Sequence, residues 1–454
     1  MLRSLPRGMQ TPDEMKVSRK LHLVSLGCSK NLVDSEVMLG RLREYELTDD
    51  AGEADLLIVN TCGFIESAKS ESISTILELH EQRKSDSLLV VSGCLSERYK
   101  DTLAEELPEV DLFTGVGDYE RIDELISSKK SSFSAEVYLL NENSARVITG
   151  SNYHAYIKLA EGCNQNCSFC AIPGFKGRLK SRSIDSITAE ISRLVRKGFY
   201  DFSFISQDSS SYGRDIGMRE GLVELIEAVE RIEGVRSARI LYLYPSTTTM
   251  AMIDAIADSD IFHTYYDMPI QHIDDGMLKV MKRGFGERKT MELLEAMRLK
   301  RDSFVRTSVI AGHPGESEEA FDKLCRFLDS FGFDRINVFA YSNEENTAAF
   351  DMPQLDDGLI ESRTQTLAEI AENSISKSLE RMVGKELDLA IDGESGEHEY
   401  LLSARPLQWA PEIDGEVLVN DSGELKMEVG ALYRAKITQK ADSYLLSTIL
   451  KRLL

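Results

Sequence analysis

Three short apolar runs near the start of the chain each lead into a cysteine: LHLVSL (21–26) into Cys28, DLLIVN (55–60) into Cys62 and LLVVSG (88–93) into Cys94. Runs of this length, rich in Val, Ile and Leu, are the pattern of strands buried on both faces of a parallel sheet. Helix-patterned stretches at 35–43, 66–82 and 96–106 accompany them, so the segment is predicted to be a βαβ layer. In such a sheet the C-terminal strand ends share one edge, and ligands bind in the crevice there. Cysteines 34 and 32 residues apart in sequence are thereby brought to one place. A single cysteine at a strand end is usually a small core residue. Three in the same structural position point to a metal centre. Gly27 and Gly93, directly before Cys28 and Cys94, would let the backbone approach a bound cluster closely.

A second triplet, EGCNQNCSFC (161–170), sets Cys163, Cys167 and Cys170 in a C-x3-C-x2-C loop beyond another apolar run. Three thiolates so close meet at one centre if the loop curls around it, but a 4Fe–4S cubane takes four ligands. Each triplet would therefore leave one iron open to an outside ligand. Structural zinc usually pairs two C-x2-C units or adds histidines, and no further Cys or His stands at a suitable local spacing. Cys325 lies among Phe321, Leu324 and Leu328 at helical spacing and reads as core packing. Seven cysteines, odd in number and clustered, fit metal or redox use better than a disulfide framework.

From Tyr153 a second βα series begins, with candidate strands at 156–162, 202–207, 238–244, 265–271, 305–312 and 335–341. The helix-patterned segments between and after them predict a partial (β/α)6 barrel, whose ligands would lie at the C-terminal mouth of the strands. Gln207 and Asp208 follow one of these strands, and Gly312, Gly315 and Glu316 follow another. Residues 362–382 read as helix. From Val383 onward, short runs broken by Gly, Pro, Asp and Asn predict a small antiparallel β-barrel. The expected organisation is a flexible tail (1–18), an α/β domain (19–131), a linker (132–150), the βα barrel (151–382) and the small β-barrel (383–454). No apolar run approaches the roughly 18–20 residues of a membrane span, and the first residues lack a secretory pattern. An intracellular protein without a membrane partner is expected. The net charge of −23 would repel a phosphate backbone, so direct RNA binding is not expected. Plain solubility or a basic partner would explain such acidity.

The C-x3-C-x2-C loop, with Phe169 before its last cysteine, resembles the signature of the radical S-adenosylmethionine (SAM) superfamily. The resemblance implies that the open iron binds SAM, whose reductive cleavage yields a 5′-deoxyadenosyl radical. Phe169 belongs to that signature, and Gln207, Asp208, Gly312, Gly315 and Glu316 at the barrel mouth are candidate SAM contacts, loop geometry for the glycines and a solvated carboxylate for Glu316 being the other readings. Arg182 is a candidate either for the SAM carboxylate or for a surface salt bridge. GCSKNLVDSE (27–36), VNTCGFIESA (59–68) and SGCLSERY (92–99) resemble the N-terminal domain of the radical SAM methylthiotransferases. The order of domains, ending in a TRAM-type barrel, is similar too, and the likeness runs from about residue 20 to 449. GCSKN in place of the GCQMN of tRNA-modifying relatives, together with FCAIPGFKGRLKSR (169–182) and APEIDGEVLVN (410–420), resembles the branch that acts on a ribosomal protein. That branch implies two 4Fe–4S clusters, SAM, an unidentified electron donor, and methylthiolation of the β-carbon of an aspartate in the twelfth small-subunit ribosomal protein. A radical suits an unactivated C–H bond that offers no acidic proton. The C-terminal segment carries 8 basic and 13 acidic residues, which suits a basic protein partner, whereas a tRNA-binding barrel would be positive. The competing readings are the same chemistry on a tRNA adenosine and a non-enzymatic, metal-bearing module at the ribosome. Two positions depart from the family pattern: His313 where Phe is usual, and Lys176 where Arg is common. A surface or packing role is expected for His313.

Overall fold

A computed structural model of the chain describes residues 19–396, 398, 401–423 and 425–453. The expected tail at 1–18 lies outside the described residues. The first sheet contains β1 (Arg19–Ser25), β2 (Tyr45–Leu47), β3 (Leu56–Thr61), β4 (Leu88–Gly93) and β5 (Leu112–Phe113), in the order β2-β1-β3-β4-β5. All its pairings are parallel. Every residue of β3 is buried, as continuous apolar runs require when helices cover both faces. The strand order reverses between β1 and β3, and such a switch point opens a crevice at the strand ends. The first helix starts six residues earlier than its apolar periodicity suggests, at Ser29–Arg41. The predicted helix at 96–106 is two pieces, Cys94–Arg98 and Leu103–Glu106.

The second body holds β6 (His154–Lys158), β7 (Ala160–Glu161), β8 (Lys180–Ser181), β9 (Asp201–Ile205), β10 (Ser237–Ile240), β11 (Phe262–Asp267), β12 (Phe304–Ala311) and β13 (Arg335–Ala340). Six of these form an open sheet in the order β13-β12-β11-β10-β9-β6, every pairing parallel. It is the expected six-strand partial barrel. The short antiparallel pair β7–β8 clasps the base of the second cysteine loop. Cys325 lies on the helix Glu318–Phe331 and packs against the barrel core.

A closed barrel follows, made of β14 (Glu386–Glu394), β15 (Leu402–Pro406), β16 (Val417–Asp421), β17 (Leu432–Ala441) and β18 (Tyr444–Arg452) in the order β14-β15-β16-β18-β17. Its pairings are antiparallel except for β16 with β18, which run parallel. This small barrel packs under the larger one. Trp409, fully buried, shares a core cluster with Tyr265 and Phe304 at the lower end of β11 and β12. Around that core Arg405 donates to Asp201 at 2.5 Å, and Arg239 donates to the same carboxylate. Arg335 reaches the Asp414 carbonyl. Burying a large apolar side chain stabilises by about 1.5–3 kcal/mol. The ions add selectivity of docking, because an unpaired buried charge costs several kcal/mol.

Candidate functional site

The register of the first sheet sets Ser25 beside Asn60 and Asn60 beside Ser92, so the three cysteine-bearing chains leave the sheet together. Cys62 follows β3, Cys94 opens its short helix, and Cys28 is the N-cap of Ser29–Arg41. Gly27 has φ 84°, and a Cβ there would stand 2.7 Å from Cys62 Cβ. Its bare backbone is what lets the first and second cysteine loops touch. Gly93 also allows close strand packing, since a Cβ there would stand 2.4 Å from Asn60 Oδ1 and 2.6 Å from the Thr61 carbonyl oxygen of β3. Asn31 ties the loops by donating to the Leu26 and Thr61 carbonyls, 3.0 Å each, while its Oδ1 lies 3.6 Å from Cys94 Sγ. Burial pushes the Cys94 thiol up to about 12 and raises Cys62, and the three thiols feel one another's charge. The Lys30 ammonium, with the backbone N–H groups of Asn31 and Lys30, holds the exposed Cys28 thiol below its ordinary value.

In the second triplet, the Cys163 N–H donates to the Gly177 carbonyl (3.1 Å), Ser168 N–H to Met281 (3.0 Å) and Ala349 N–H to Ser168 (2.8 Å). These bonds curl the loop. Cys167 Sγ lies 3.1 Å from Arg283 Nη1 and 3.2 Å from the Tyr244 hydroxyl. The Arg283 guanidinium stacks on the Tyr244 ring at 4.1 Å and is only 3% exposed. Among the described residues no carboxylate pairs with it, so its natural counter-charge is a thiolate-ligated centre. Burial pushes Cys163 and Cys170 up to about 12. Those thiols stay protonated at neutral pH until a metal displaces the proton. The donor set therefore suits a thiolate cluster: six thiols free of disulfides, in two triplets, with hydrogen-bond donors already aimed at sulfur. Among the described residues no three His, Cys, Asp or Glu side chains converge tightly enough to hold a single metal ion. A cubane asks for wider spacing, since each cysteine binds a different iron.

Several expected SAM contacts have other work. Arg182 is engaged inside the barrel wall. Its buried guanidinium donates to Glu190 (2.6 Å), to the Lys158 carbonyl (2.9 Å) and to Ser186, which leaves nothing free for a carboxylate at the mouth. Asp208 accepts from Gln165 (2.8 Å) and from the Ser210 and Ser211 hydroxyls. It holds the cysteine loop through Gln165. Glu316 accepts from Gly312 N–H (3.0 Å) and Arg363 (2.7 Å), so it shapes the loop after β12. Gly312 and Gly315 both have positive φ, which that loop requires. Phe169 packs edge-on against His313 and joins the cluster of Met277, Met281 and Tyr341. His313 is fully buried. Its Nδ1 donates to the Pro314 carbonyl (2.8 Å), so Nε2 accepts from Ser168 (2.9 Å). Burial holds it below its ordinary value, hence neutral. Gln207 differs from these. Its Nε2 donates to Glu161 (3.1 Å), but its buried Oε1 has no partner and is available to a ligand's N–H or O–H.

The two triplets share a wall. Ala171 and Phe175, just beyond Cys170, belong to the same apolar cluster as Cys94. Behind them Asp34 accepts from Lys158 (2.5 Å) and Lys176 (3.3 Å), and Glu161 pairs with both lysines. Lys176, the departure from the family's Arg, thus sits 4% exposed between the bodies, and its charge reaches Cys28 and Cys94. Sequence reasoning missed Tyr244 and Arg283. Tyr244 ended a predicted strand, which was a usable signal, whereas Arg283 lies in a turn with none.

A cysteine-bearing α/β layer joined to an open βα barrel with its own cysteine loop, and then a small closed barrel, define a radical SAM protein of compound architecture. Family models agree in chain order: "Uncharacterized protein family UPF0004" over residues 20–115, "Radical SAM superfamily" over 157–328 and "TRAM domain" over 383–449. Among solved structures, the radical S-adenosylmethionine methyltransferase TsrM from Kitasatospora setae, with cobalamin and a [4Fe-4S] cluster bound, is similar in fold. Its TM-score is 0.53 at 15% identity, covering 73% of this chain and 74% of that one. Curated relatives are much nearer. "Ribosomal protein uS12 methylthiotransferase RimO" of Sulfurovum sp. is 67% identical over 96% of this chain and 100% of its own length. The same-named proteins of Sulfurimonas denitrificans (61%, 95% of this chain, 99% of theirs) and Campylobacter jejuni (57%, 95%, 99%) follow. The chain belongs to the RimO family of ribosomal protein uS12 methylthiotransferases.

Proposed function

We propose that this chain is a radical SAM methylthiotransferase that adds a methylthio group to the β-carbon of an aspartate in ribosomal protein uS12, the twelfth protein of the small subunit. The observation that carries the reading is the shared wall between two thiol triplets at the mouth of one barrel. Cys163, Cys167 and Cys170 would hold one 4Fe–4S cluster, and Cys28, Cys62 and Cys94 the other. With SAM bound, these groups supply a radical able to remove hydrogen from an unactivated carbon and a sulfur to put in its place.

The chain's own residues do the positioning. Arg283 and Tyr244 steady the Cys167 sulfur. Asp208 acting through Gln165, and His313 acting through Ser168, hold the loop. Gln207 Oε1 offers an acceptor to the SAM ammonium or a ribose hydroxyl. The α/β layer is tied to the barrel through Arg146, which donates to Glu36 of the layer and Glu190 of the barrel. We take 19–131, 151–382 and 383–454 as the three working units. The acidic small barrel suits a basic ribosomal protein, and direct RNA contact is not expected. No helix among the described residues is long and apolar enough to cross a membrane, and a ribosomal substrate argues for the cytoplasm. A one-electron donor is required. The test is mass spectrometry of uS12 after anaerobic incubation with the iron-loaded enzyme, SAM, sulfide and a reductant. A methylthio group on one aspartate is the expected result. Unmodified uS12, or methylthiolated tRNA in its place, would overturn the reading.

A further inference from the structure

Lys30 stands between Cys28 and the Tyr242 ring at the barrel mouth, and no step of the proposed reaction uses it. It lies in the first turn of the helix that Cys28 caps, half-buried beside that exposed cysteine. Its ammonium rests 3.7 Å from the centroid of the Tyr242 ring, which belongs to the barrel mouth just past β10. The neighbouring buried lysines are spoken for, since Lys158 and Lys176 both pair with Asp34 and Glu161. Arg182 is held by Glu190 and Arg283 is turned to Cys167. Lys30 has no carboxylate within ion-pair distance among the described residues.

Tyr242 is held in place by its backbone. It adopts φ 64°, a conformation costly for a bulky residue and often kept at functional sites. Its N–H donates to Asp267 (3.0 Å) and its carbonyl accepts from Ser209 N–H (2.9 Å). A ring fixed in this way steadies a cation without neutralising it, and the ammonium keeps N–H donors to spare.

We infer that Lys30, steadied on Tyr242, is the counter-charge for the side-chain carboxylate of the substrate aspartate. The inference rests on the proposed function. A carboxylate enclosed between the two bodies loses its water, and an unpaired one would be excluded at large cost. The carboxylate carbon is bonded to the β-carbon, so anchoring it fixes the reacting C–H one bond away. Positioning of that kind governs rate as well as affinity. Lys30 is thus a specificity residue that distinguishes aspartate from a neutral side chain.

The test uses the iron-loaded enzyme under anaerobic conditions with two peptides spanning the modified aspartate of uS12, one native and one carrying asparagine in its place. Fluorescence anisotropy gives each Kd, and mass spectrometry gives kcat and KM. Wild type should favour the aspartate peptide by about 30- to 100-fold, the scale of losing a charge-assisted hydrogen bond. Lys30→Met should weaken binding of the aspartate peptide by a similar factor, raise KM and abolish the preference, while Lys30→Arg should restore most of it. Iron content is measured alongside, and Lys30→Gln is read by the same ratio should the Met variant lose iron. An unchanged aspartate-to-asparagine preference in the charge-free variants would overturn the role of Lys30. A wild type that modifies neither peptide nor uS12 would instead overturn the proposed function.

Discussion

Arg283 offers a direct measure of how the protein sets the electronic state of its cysteine loop. The guanidinium is buried, points one N–H at Cys167 Sγ from 3.1 Å, and anchors another on the Pro269 carbonyl at 2.6 Å. A positive charge there stabilises whichever state of a bound cluster is more negative, which is the reduced one. Arg283→Met should therefore make the reduction potential of that cluster more negative. A hydrogen bond to a charged group contributes roughly 1.5–3 kcal/mol, and unit charges about 6 Å apart interact by about 3 kcal/mol at an effective dielectric near 20. For one electron, about 59 mV corresponds to a tenfold change in equilibrium, or about 1.4 kcal/mol. The expected shift is then on the order of 100 mV downward. Tyr244→Phe should shift the potential less, because the hydroxyl is neutral and is shared with the Arg283 carbonyl at 3.3 Å. Redox titration of the iron-loaded protein followed by electron paramagnetic resonance reads the shift, with the cluster on Cys28, Cys62 and Cys94 as an internal reference. A shift below about 20 mV, an upward shift, or an equal shift of both clusters would refute the reasoning.

Cys62→Ser and Cys167→Ser should each remove about half of the iron while leaving the other triplet loaded, as iron analysis and Mössbauer spectra of the two variants would reveal. Glu344→Gln should destabilise the contact of the α/β layer with the barrel by about 3 kcal/mol, the usual range for removing one member of a buried ion pair. The carboxylate receives Arg98 at 2.7 Å and Lys69 at 3.2 Å, and limited proteolysis across 60–100 with thermal melting would register its loss. At Asp201 burial would raise the carboxyl, but Arg239 and Arg405 outweigh it and hold the group well below the usual carboxylate range. A depressed carboxyl contributes stability that is full above its unfolded value, near 3.9, and is lost as pH falls toward the folded value. The melting-temperature gap between wild type and Asp201→Asn should accordingly be constant above about pH 5 and shrink below about pH 4. A gap that widens on acidification would contradict the assignment.

Both cysteine triplets were legible because their evidence is local. A strand that ends at a cysteine, repeated three times, needs only the apolar period and a topology rule, and C-x3-C-x2-C is compact. β2 and β5 were missed because Tyr45–Leu47 and Leu112–Phe113 are too short to show a period. The strand predicted at 265–271 is in fact Phe262–Asp267, since its apolar run continues beyond the paired residues into the mouth. Arg182 was left open between a ligand contact and an ion pair because a sequence does not show which way a charged side chain turns. Only the fold sets Glu190 against it, eight residues on and one helical face around. Tyr244 and Arg283 come to Cys167 from 77 and 116 residues away. No local pattern encodes such a meeting.

The segment 132–150, expected as a linker, behaves as a strap. Arg146 donates to Glu36 and to Glu190 at 2.7 Å each, and Thr149 N–H reaches Glu36 at 2.8 Å. Glu36 lies on the cysteine-bearing helix of the α/β layer and Glu190 on a helix of the barrel, so a single guanidinium binds both bodies. Arg182 extends the chain of ions through Glu190, and Asp34 with Lys158 and Lys176 forms a parallel one. Swinging the layer away from the mouth would strand charges on both sides at a cost of several kcal/mol each. The ion pairs therefore favour the docked arrangement of layer and barrel.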